Sequence, residues 1–520
     1  MPKFLSFIFL ILIHFKGFSQ AEEYIEKYPN GVIKAKGSQQ NGQWTTYFYS
    51  GQMEAIYTYR EGFIDGEFVR YFSNGQIQVK GTYRDGIRVG EWIRYYGDGH
   101  LFMKETYMNN PPKDYEGVLK TRDMGLLTGE MIMYHNNGRV QDSATYEEGI
   151  RVGKLIRYYD NGQIEESGNY SNNIPESAKH ELRIWDRGLL DGEYILYWRS
   201  GKIRSKGNCS EGRSIGEWNN YYESGQIYET INFQDGLRQG EYIIYYANGQ
   251  IQEKGIYQKN MKVGEWIWYH NDGQILKKEI YTNTVFTNSE GVVKQRNVKS
   301  GKYTEYHGNG QILKTGTYLD GVKVGEWLSY HYNGQVKEIS TYKNEFPDSL
   351  KEELLRNESG LQHGKWIEYY ENGKIAGQGT FRNNVPVGDI IDYYDSGQIM
   401  GKTTYTKKAI KMITYYPNGK VEESGTYNLN YGKEGTWKKY YESGQLHIQE
   451  QYRDSYLEGK SISYYENGQV CEKAHYKESV QCGHFVSYYK NGQIKDIGVY
   501  GGKKAHCTAY DEKGNVILKR

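Results

Sequence analysis

The chain has 520 residues, of which 37% are hydrophobic, and its mean hydropathy is −0.83. Its net charge is +1 with both signs interspersed, which argues against the basic patches that nucleic-acid and anionic-membrane binding need. Tyrosine occurs 54 times and tryptophan 10 times, a composition that favours a sheet held together by rings over a deep aliphatic core.

The N-terminus predicts export. A lysine precedes the apolar run of residues 4–13, and the small residues Gly17 and Ser19 occupy the −3 and −1 positions of a cut before Gln20. This is the pattern of a secretory signal peptide over residues 1–19. We expect a mature periplasmic, cell-surface or secreted chain over 20–520. The alternative is an uncleaved anchor, and no later stretch has the length of a membrane span.

A short repeat fills the rest of the chain. Its clearest copy is GEYIIYYANGQI, residues 240–251, in which a strand-opening glycine is followed nine residues later by a turn glycine. Seventeen turn glycines, from Gly51 to Gly492, each follow a tyrosine by four residues and an aromatic or histidine ring by three. A spacing this rigid predicts a strand with two fixed ends.

Two turn signals alternate along the repeats. Asn-Gly pairs such as Asn74-Gly75 supply the positive φ of a two-residue hairpin, and Asp-Gly pairs such as Asp85-Gly86 mark a second turn. Each repeat of about 24 residues is then two antiparallel strands and two turns. When the degenerate first and last copies are counted, there are about nineteen repeats. The predicted fold is all-β: an elongated, single-layer antiparallel β-meander.

Period two along the strands places Tyr83 and Trp92 on one face and Glu91 and Ile93 on the other. A recurrent glycine in the first strand, such as Gly81, leaves room for a neighbouring ring to lie over the backbone. Cross-strand aromatic pairs, at roughly 0.2–1 kcal/mol each, are expected to hold the layer together.

Four insertions interrupt the array, at 100–128, 163–191, 274–300 and 335–363, each at an Asp-Gly turn. Because all turns of one kind in a meander lie along one edge, we expect the insertions to share an edge. Insertions on a rigid scaffold are common places for binding residues. The alternative is that they are neutral or guard the edge against strand addition. The partner-binding candidates are residue types uncommon elsewhere in the chain: Pro112, Trp185, Phe286, Leu354 and Leu355.

The motif YYxNGQI with GxxxxGEW at this period resembles the MORN-repeat variant, as found in bacterial proteins labelled YwqK-like antitoxins of toxin–antitoxin systems. The resemblance covers about residues 24 to 518. It implies an elongated, twisted antiparallel sheet and a role in binding or scaffolding. The family label carries over no catalytic residue.

No catalytic, cofactor or metal site is predicted, and we expect the protein not to be an enzyme. Four histidines occupy the ring position before a turn glycine, where they replace tyrosine or phenylalanine: His135, His270, His307 and His331. The glutamate of the GEW triplet recurs along the array, which is typical of a ladder residue and not of a general acid. The cysteines show no zinc or disulfide spacing, although a Cys471–Cys482 bridge stays open.

The sequence therefore predicts an exported, non-enzymatic scaffold for protein–protein interaction. One alternative is an antitoxin-like inhibitor of a specific partner protein. Another is an envelope glycan-binding protein, whose exposed tyrosine rows would stack on sugar rings instead of only holding the sheet together. Nucleic-acid partners and membrane-lipid binding are not expected, because the charge is balanced.

Overall fold

Two compact units, Met1–Gln239 and Gly240–Arg520, make up the chain in the computed structural model. The structure describes residues 23–38, 41–113, 119, 124–175, 177, 179, 188–287, 293–345, 359–501 and 504–519. The predicted signal peptide lies outside the described residues. Within those residues, no helix has the length and hydropathy needed to span a membrane.

The first unit is an antiparallel meander in which each strand pairs with the next along the chain. Its strands are β1 (Tyr24–Lys27), β2 (Ile33–Gly37), β3 (Gly42–Tyr47), β4 (Met53–Arg60), β5 (Phe63–Tyr71), β6 (Ile77–Arg84), β7 (Ile87–Tyr95), β8 (Leu101–Tyr107), β9 (Gly129–Tyr134), β10 (Val140–Glu147), β11 (Ile150–Tyr158), β12 (Ile164–Tyr170), β13 (Gly192–Tyr197), β14 (Ile203–Ser210), β15 (Arg213–Tyr221) and β16 (Ile227–Gln234).

The second unit begins within β17 (Leu237–Tyr245). It continues with β18 (Ile251–Gln258), β19 (Met261–Tyr269), β20 (Ile275–Thr287), β21 (Val293–Lys299), β22 (Gly301–Tyr306), β23 (Ile312–Leu319), β24 (Val322–Tyr330), β25 (Val336–Tyr342), β26 (Gln362–Tyr369), β27 (Ile375–Arg382), β28 (Val385–Pro386), β29 (Gly388–Tyr393), β30 (Ile399–Tyr405), β31 (Ile410–Tyr415), β32 (Val421–Tyr427), β33 (Lys433–Tyr440), β34 (Leu446–Arg453), β35 (Tyr456–Tyr464), β36 (Val470–Lys477), β37 (Val480–Tyr488), β38 (Ile494–Gly501), β39 (Lys504–Tyr510) and β40 (Val516–Lys519).

Pairing in the second unit is again antiparallel and sequential, except that β20 pairs with both β21 and β22, and β27 with both β28 and β29. The predicted all-β antiparallel meander is confirmed in each unit. Outside the strands, the described residues in helical conformation lie in the first two insertions, at Lys113, Leu119, Ser177 and Lys179.

The two turns of each repeat differ in geometry. At Asp85-Gly86 both residues have positive φ, 50° and 80°, as in a two-residue type I′ hairpin. At Asn74-Gly75 only the glycine does, with φ of 84°, and its amide donates to the Phe72 carbonyl oxygen at 2.9 Å. The prediction of a two-residue hairpin at Asn-Gly is therefore wrong. This loop is a type I turn that ends in a left-handed glycine.

A tryptophan cluster forms the core of the repeat. The Trp92 ring lies so close over Gly81 that a Cβ added there would stand 2.2 Å from it. Tyr83 meets the same ring edge-on, with the centroids 4.9 Å apart, and the Arg88 guanidinium lies 4.8 Å from the ring centroid. The indole N–H donates to the Thr82 carbonyl oxygen at 3.2 Å, so the buried polar atom of the ring is satisfied.

The same cluster recurs in both units, which confirms that the recurrent glycine makes room for a ring. Four more tryptophans each lie on a glycine in this way: Trp218 on Gly207, Trp266 on Gly255, Trp327 on Gly316 and Trp437 on Gly425. Edge-to-face pairs of this kind contribute about 0.5–1.5 kcal/mol beyond burial, so each cluster stabilises its own repeat.

The opposite face of the sheet is more polar. Glu91 and Lys104 pair there across two strands at 3.4 Å, and Glu193 and Lys206 pair at 2.7 Å. Because these side chains are exposed, each pair contributes little to stability. The recurrent glutamate of the GEW triplet thus lies in a cross-strand ladder, as predicted.

Candidate partner-binding edge

The edge formed by the Asn-Gly turns is joined from repeat to repeat by side-chain hydrogen bonds. The ring three residues before a turn glycine reaches the backbone of the next repeat, as where the Tyr246 hydroxyl donates to the Tyr269 carbonyl oxygen at 2.8 Å. His331 Nε2 lies 2.8 Å from the Tyr369 carbonyl oxygen in the same arrangement. His135 and His307 make the equivalent contact with Tyr158 and Tyr330. Three of the four histidines therefore replace tyrosine in this contact between neighbouring repeats.

Substitutions of His331 distinguish a structural role in this ladder of rings from a role in metal binding. We expect His331→Tyr to keep the bond to Tyr369 and to leave stability unchanged. His331→Phe removes the bond and should lower the free energy of unfolding by about 1 kcal/mol. Urea denaturation of the two variants and the wild type measures both effects. Equal destabilisation by tyrosine and phenylalanine would contradict the ladder assignment. Among the described residues, no cluster of His, Cys, Asp and Glu has the geometry to hold a metal ion.

The turn asparagine joins the repeats at the same edge. Asn248 Oδ1 accepts the Gln250 amide at 3.0 Å, and its Nδ2 donates to the Asn271 carbonyl oxygen at 2.7 Å. The same pair of bonds recurs at other Asn-Gly turns of both units. In most repeats the ring is bonded to the neighbouring repeat in this way, so the edge has similar chemistry along much of each unit. Phe48 and Phe72 have no hydroxyl to donate, and His270 Nε2 has no hydrogen-bond partner among the described residues.

The other edge, formed by the Asp-Gly turns and their equivalents, carries the insertions and is called the Asp-Gly edge. In the first unit, the closing residues of the insertion at 100–128 lie between two hairpins. The Met124 carbonyl accepts the Arg88 amide of the preceding hairpin at 3.3 Å, and the Leu127 carbonyl accepts the Gly149 amide of the following hairpin at 2.7 Å. This insertion therefore runs along the edge that the spacing predicted.

A small apolar core lies between this insertion and the hairpin before it. Ile87 packs with Leu119 and Leu126, and the three side chains are 4%, 4% and 1% exposed. Met108 and Met124 pack against them. The insertion thus covers an aliphatic side chain that directly follows an Asp-Gly turn.

The insertion at 163–191 covers its own preceding hairpin in the same way. Ile150 and Val152 are each 4% exposed and pack with Ile174 and Leu189. Its return segment is bonded to the next hairpin through the Leu190 carbonyl oxygen, which accepts the Gly212 amide at 2.8 Å.

In the second unit, the insertion at 335–363 returns beside β24. Val322 and Val324 are 0% and 7% exposed there, and Leu361 is 6% exposed. The Lys323 amide donates to the Ser359 carbonyl oxygen at 3.2 Å, which ties the return segment to that hairpin.

The insertion at 274–300 is built differently. It contains no proline, and β20 simply continues to Thr287 and pairs back with β21. This insertion is a lengthened hairpin of the sheet.

The five predicted binding residues have different positions. Pro112 is half-buried in the first insertion, and Phe286 lies in β20, opposite Lys294. Trp185, Leu354 and Leu355 lie outside the described residues. Binding by any of the five stays a prediction.

Hairpins without a covering insertion expose the residue that corresponds to Ile87. In the first unit these are Phe63 at 45% and Leu237 at 40% exposure. In the second unit they are Val385 at 59%, Tyr456 at 58% and Val480 at 68%. The Asp-Gly edge therefore has covered apolar sites at some hairpins and uncovered ones at others.

The sequence carries a signal for this cover that the repeat spacing did not show. The stretches IRVG at 87–90, IRVG at 150–153, MKVG at 261–264 and VKVG at 322–325 each lie one Asn-Gly turn before an insertion. A fifth copy, VPVG at 385–388, precedes no insertion. Its Pro386 has no amide at the position from which Arg88 and Lys323 donate to their insertions, so it cannot receive a cover bonded in this way.

A buried charged cluster lies on β20 of the second unit. Glu279 is 2% exposed and lies 3.0 Å from the Lys277 ammonium and 3.2 Å from that of Lys299. The Tyr281 hydroxyl donates to it at 2.6 Å. Burial alone would raise the pKa of Glu279, but the hydrogen bonds from Tyr281 and Lys277 and the charge of Lys299 lower it below its ordinary value.

The lowered pKa gives the Glu279 contribution a defined pH dependence. The stabilisation is complete above the unfolded-state pKa, about 4.3, and is lost as pH falls through the lower folded-state value. We expect Glu279→Gln to lower the free energy of unfolding by about 1–3 kcal/mol at pH 7, and by progressively less in acid. Urea titrations at several pH values measure this. Glu265→Gln, at an exposed ladder position, is the matched control and should have little effect. If Glu279→Gln lowers the free energy of unfolding by the same amount in acid as at pH 7, the stabilisation does not come from the charged form of Glu279.

Together, the two-stranded repeats, their glycine–tryptophan clusters and the two distinct edges define an open β-repeat protein. The model for the MORN repeat variant matches fourteen stretches: 64–85, 88–109, 151–172, 190–208, 215–235, 238–259, 262–283, 299–320, 323–344, 362–383, 410–429, 433–454, 457–478 and 481–500. These stretches amount to more than half of the chain, which therefore belongs to the MORN repeat variant family. MORN repeats are generally involved in protein or membrane interactions.

No curated protein matches the sequence. Among solved structures, a crystal structure of TcdB2-TccC3-TEV aligns with 95% of this chain and 28% of that chain, at 10% identity and a TM-score of 0.15. The Tc holotoxin pore of Photorhabdus luminescens aligns with 94% and 26%, at 12% identity and 0.13. A porin-like protein from Bacteroides uniformis aligns with 49% and 92%, at 11% identity and 0.12. The chain spans little more than a quarter of the length of the first two chains.

Proposed function

We propose that this protein is an exported, non-enzymatic scaffold that binds a partner protein through the Asp-Gly edge of its repeats. The observation that carries the proposal is the contrast between the two edges. The Asn-Gly edge repeats the same ring bond in most repeats, whereas the Asp-Gly edge has buried apolar residues at some hairpins and exposed ones at others. A surface that varies along an otherwise regular array is suited to specific recognition.

The ionisable groups support a non-enzymatic role. The recurrent glutamates of the sheet face pair with lysines across strands, and Glu279 has its bonds within its own cluster. Tyr83 and Trp92 are 3% and 1% exposed, so the rings at the centre of this cluster are packed within the repeat and not presented to a sugar. This favours a protein partner over a glycan.

Affinity capture with the tagged full chain from an envelope fraction tests the proposal. We expect one protein to be enriched stoichiometrically over capture with an unrelated β-repeat bait. If that protein is a toxin and its activity falls when it is bound, the scaffold works as an antitoxin-like inhibitor. Retention on peptidoglycan or polysaccharide without any enriched protein would contradict the proposal.

Export is tested separately, on the native protein. The pattern at residues 1–19 predicts a mature chain that begins at Gln20. N-terminal sequencing or intact mass of the protein purified from its host measures this. A cytoplasmic chain that still begins at Met1 would contradict export.

A further inference from the structure

Four large apolar side chains are exposed close together on the Asp-Gly edge of the second unit. Leu429, Tyr431, Tyr456 and Val480, the C-terminal edge patch, are 55%, 64%, 58% and 68% exposed. Single exposed apolar residues are normal on protein surfaces, whereas clusters of them mark binding sites.

The four residues lie on three successive hairpins that are bonded to one another. The Ser455 amide donates to the Lys433 carbonyl oxygen at 2.9 Å, which joins the first hairpin to the second. The Ser479 amide donates to the Leu457 carbonyl oxygen at 3.0 Å, which joins the second to the third. The patch therefore belongs to one continuous edge.

The chain itself shows what fits such an edge. Tyr456 and Val480 hold the repeat position of Ile87, Ile150 and Val322, all of which are at most 4% exposed beside an insertion. At Ile87 the covering side chains are Leu119 and Leu126, from a segment that runs along the edge. An aliphatic side chain on such a segment has the shape and chemistry to cover the C-terminal edge patch.

The C-terminal edge patch differs from the covered hairpins in charge. The covered hairpins carry Val89 or its equivalents immediately before the strand-opening glycine. The first two hairpins of the patch carry Glu434 and Glu458 at this position, and the third carries Cys482. The Glu458 carboxylate accepts the Glu478 amide at 3.0 Å, and Glu434 accepts the Asp454 amide at 3.2 Å. These carboxylates are half-buried beside the patch and favour a cation on the segment that covers it.

We propose that the C-terminal edge patch binds a segment of a partner protein in which a leucine-like residue is followed by a lysine or arginine. The insertions contain this pair in their sequences, as Leu119-Lys120, Leu182-Arg183 and Leu355-Arg356. The proposal rests on the scaffold function above. It adds where on the Asp-Gly edge the partner binds and which residue types the partner's segment carries.

The test uses a fluorescein-labelled peptide with the sequence of residues 108–128, titrated with the full chain and followed by fluorescence anisotropy. We expect saturable binding, weakened at least about tenfold by Tyr456→Asp or Val480→Asp, because an unpaired carboxylate would then face the aliphatic side chain. Ile494→Asp is the matched control, since Ile494 is 39% exposed at the Asn-Gly edge, and it should bind as the wild type does. Circular dichroism verifies that each variant is folded. A peptide carrying Leu119→Asp should not bind.

Absence of saturable binding to the wild type, or equal binding by Val480→Asp and Ile494→Asp, overturns the patch assignment. Affinity capture with the same variants separates this failure from failure of the scaffold function. If Val480→Asp captures the native partner as well as the wild type does, the patch is wrong and the scaffold stands. If the wild type captures no partner, the scaffold function itself is wrong.

Discussion

Trp266→Ala is expected to lower the free energy of unfolding of the second unit by about 3–5 kcal/mol. Trp266 is 0% exposed and packs edge-on against Tyr257, with the centroids 5.1 Å apart, and beside Tyr242 at 5.6 Å. Gly255 beneath the ring has no side chain to fill the space, so the cavity would stay open. Urea denaturation followed by circular dichroism measures the change.

Trp268→Ala is the matched control for this experiment. Trp268 lies on the same strand, but its ring is only half-buried. Its loss should cost less than half as much, because less apolar surface leaves water when it folds. Equal destabilisation by the two substitutions would contradict the view that the ring over glycine is the core of the repeat.

Leu126→Ala is expected to loosen the cover of the Asp-Gly edge, with a local loss of about 2–5 kcal/mol. Leu126 is 1% exposed and packs on Ile87 and Leu119, so its truncation leaves a cavity between insertion and hairpin. Hydrogen exchange of the amides over 85–89 measures the change. A loss of 2 kcal/mol accelerates exchange through local opening about thirtyfold.

Leu237→Ala provides the comparison, because Leu237 lies at the repeat position of Ile87, which Leu126 covers, but is 40% exposed. Its effect should stay within about 0.5 kcal/mol, as for most surface substitutions. If Leu126→Ala leaves the exchange over 85–89 unchanged, the insertion does not cover this hairpin.

The strands and their core were predictable because the repeat gives the same evidence many times. A turn glycine with tyrosine four residues before it fixes where each strand ends, and period two places Gly81 on the same face as Trp92. The register shift between Lys80 and Thr82, which brings the Trp92 ring over Gly81, was not predicted from the spacing. The Asn-Gly loop was mispredicted because its glycine has positive φ in both the two-residue and the longer loop, so composition alone does not separate them.

The candidate site was less predictable. Its position at the Asp-Gly edge followed from the spacing of the insertions, but the burial of Ile87 beneath Leu119 depends on contacts between segments that are 32 residues apart in the sequence. The stretch IRVG indicates a hairpin that is covered by an insertion, because the two aliphatic residues on either side of the arginine would be costly to leave exposed after a turn. The hydrogen bonds from the tyrosine hydroxyls to the next repeat could not be predicted, because the sequence pattern shows only that a ring occupies each position.

Lysine cross-linking of the native complex, read by mass spectrometry, tests the central claim most directly. The Asp-Gly edge presents exposed lysines in both units: Lys113, Lys407, Lys408 and Lys477. The Asn-Gly edge presents Lys202, Lys374, Lys420 and Lys490. We predict that partner cross-links are concentrated on the first set. Cross-links that fall mainly on the second set would contradict partner binding through the Asp-Gly edge.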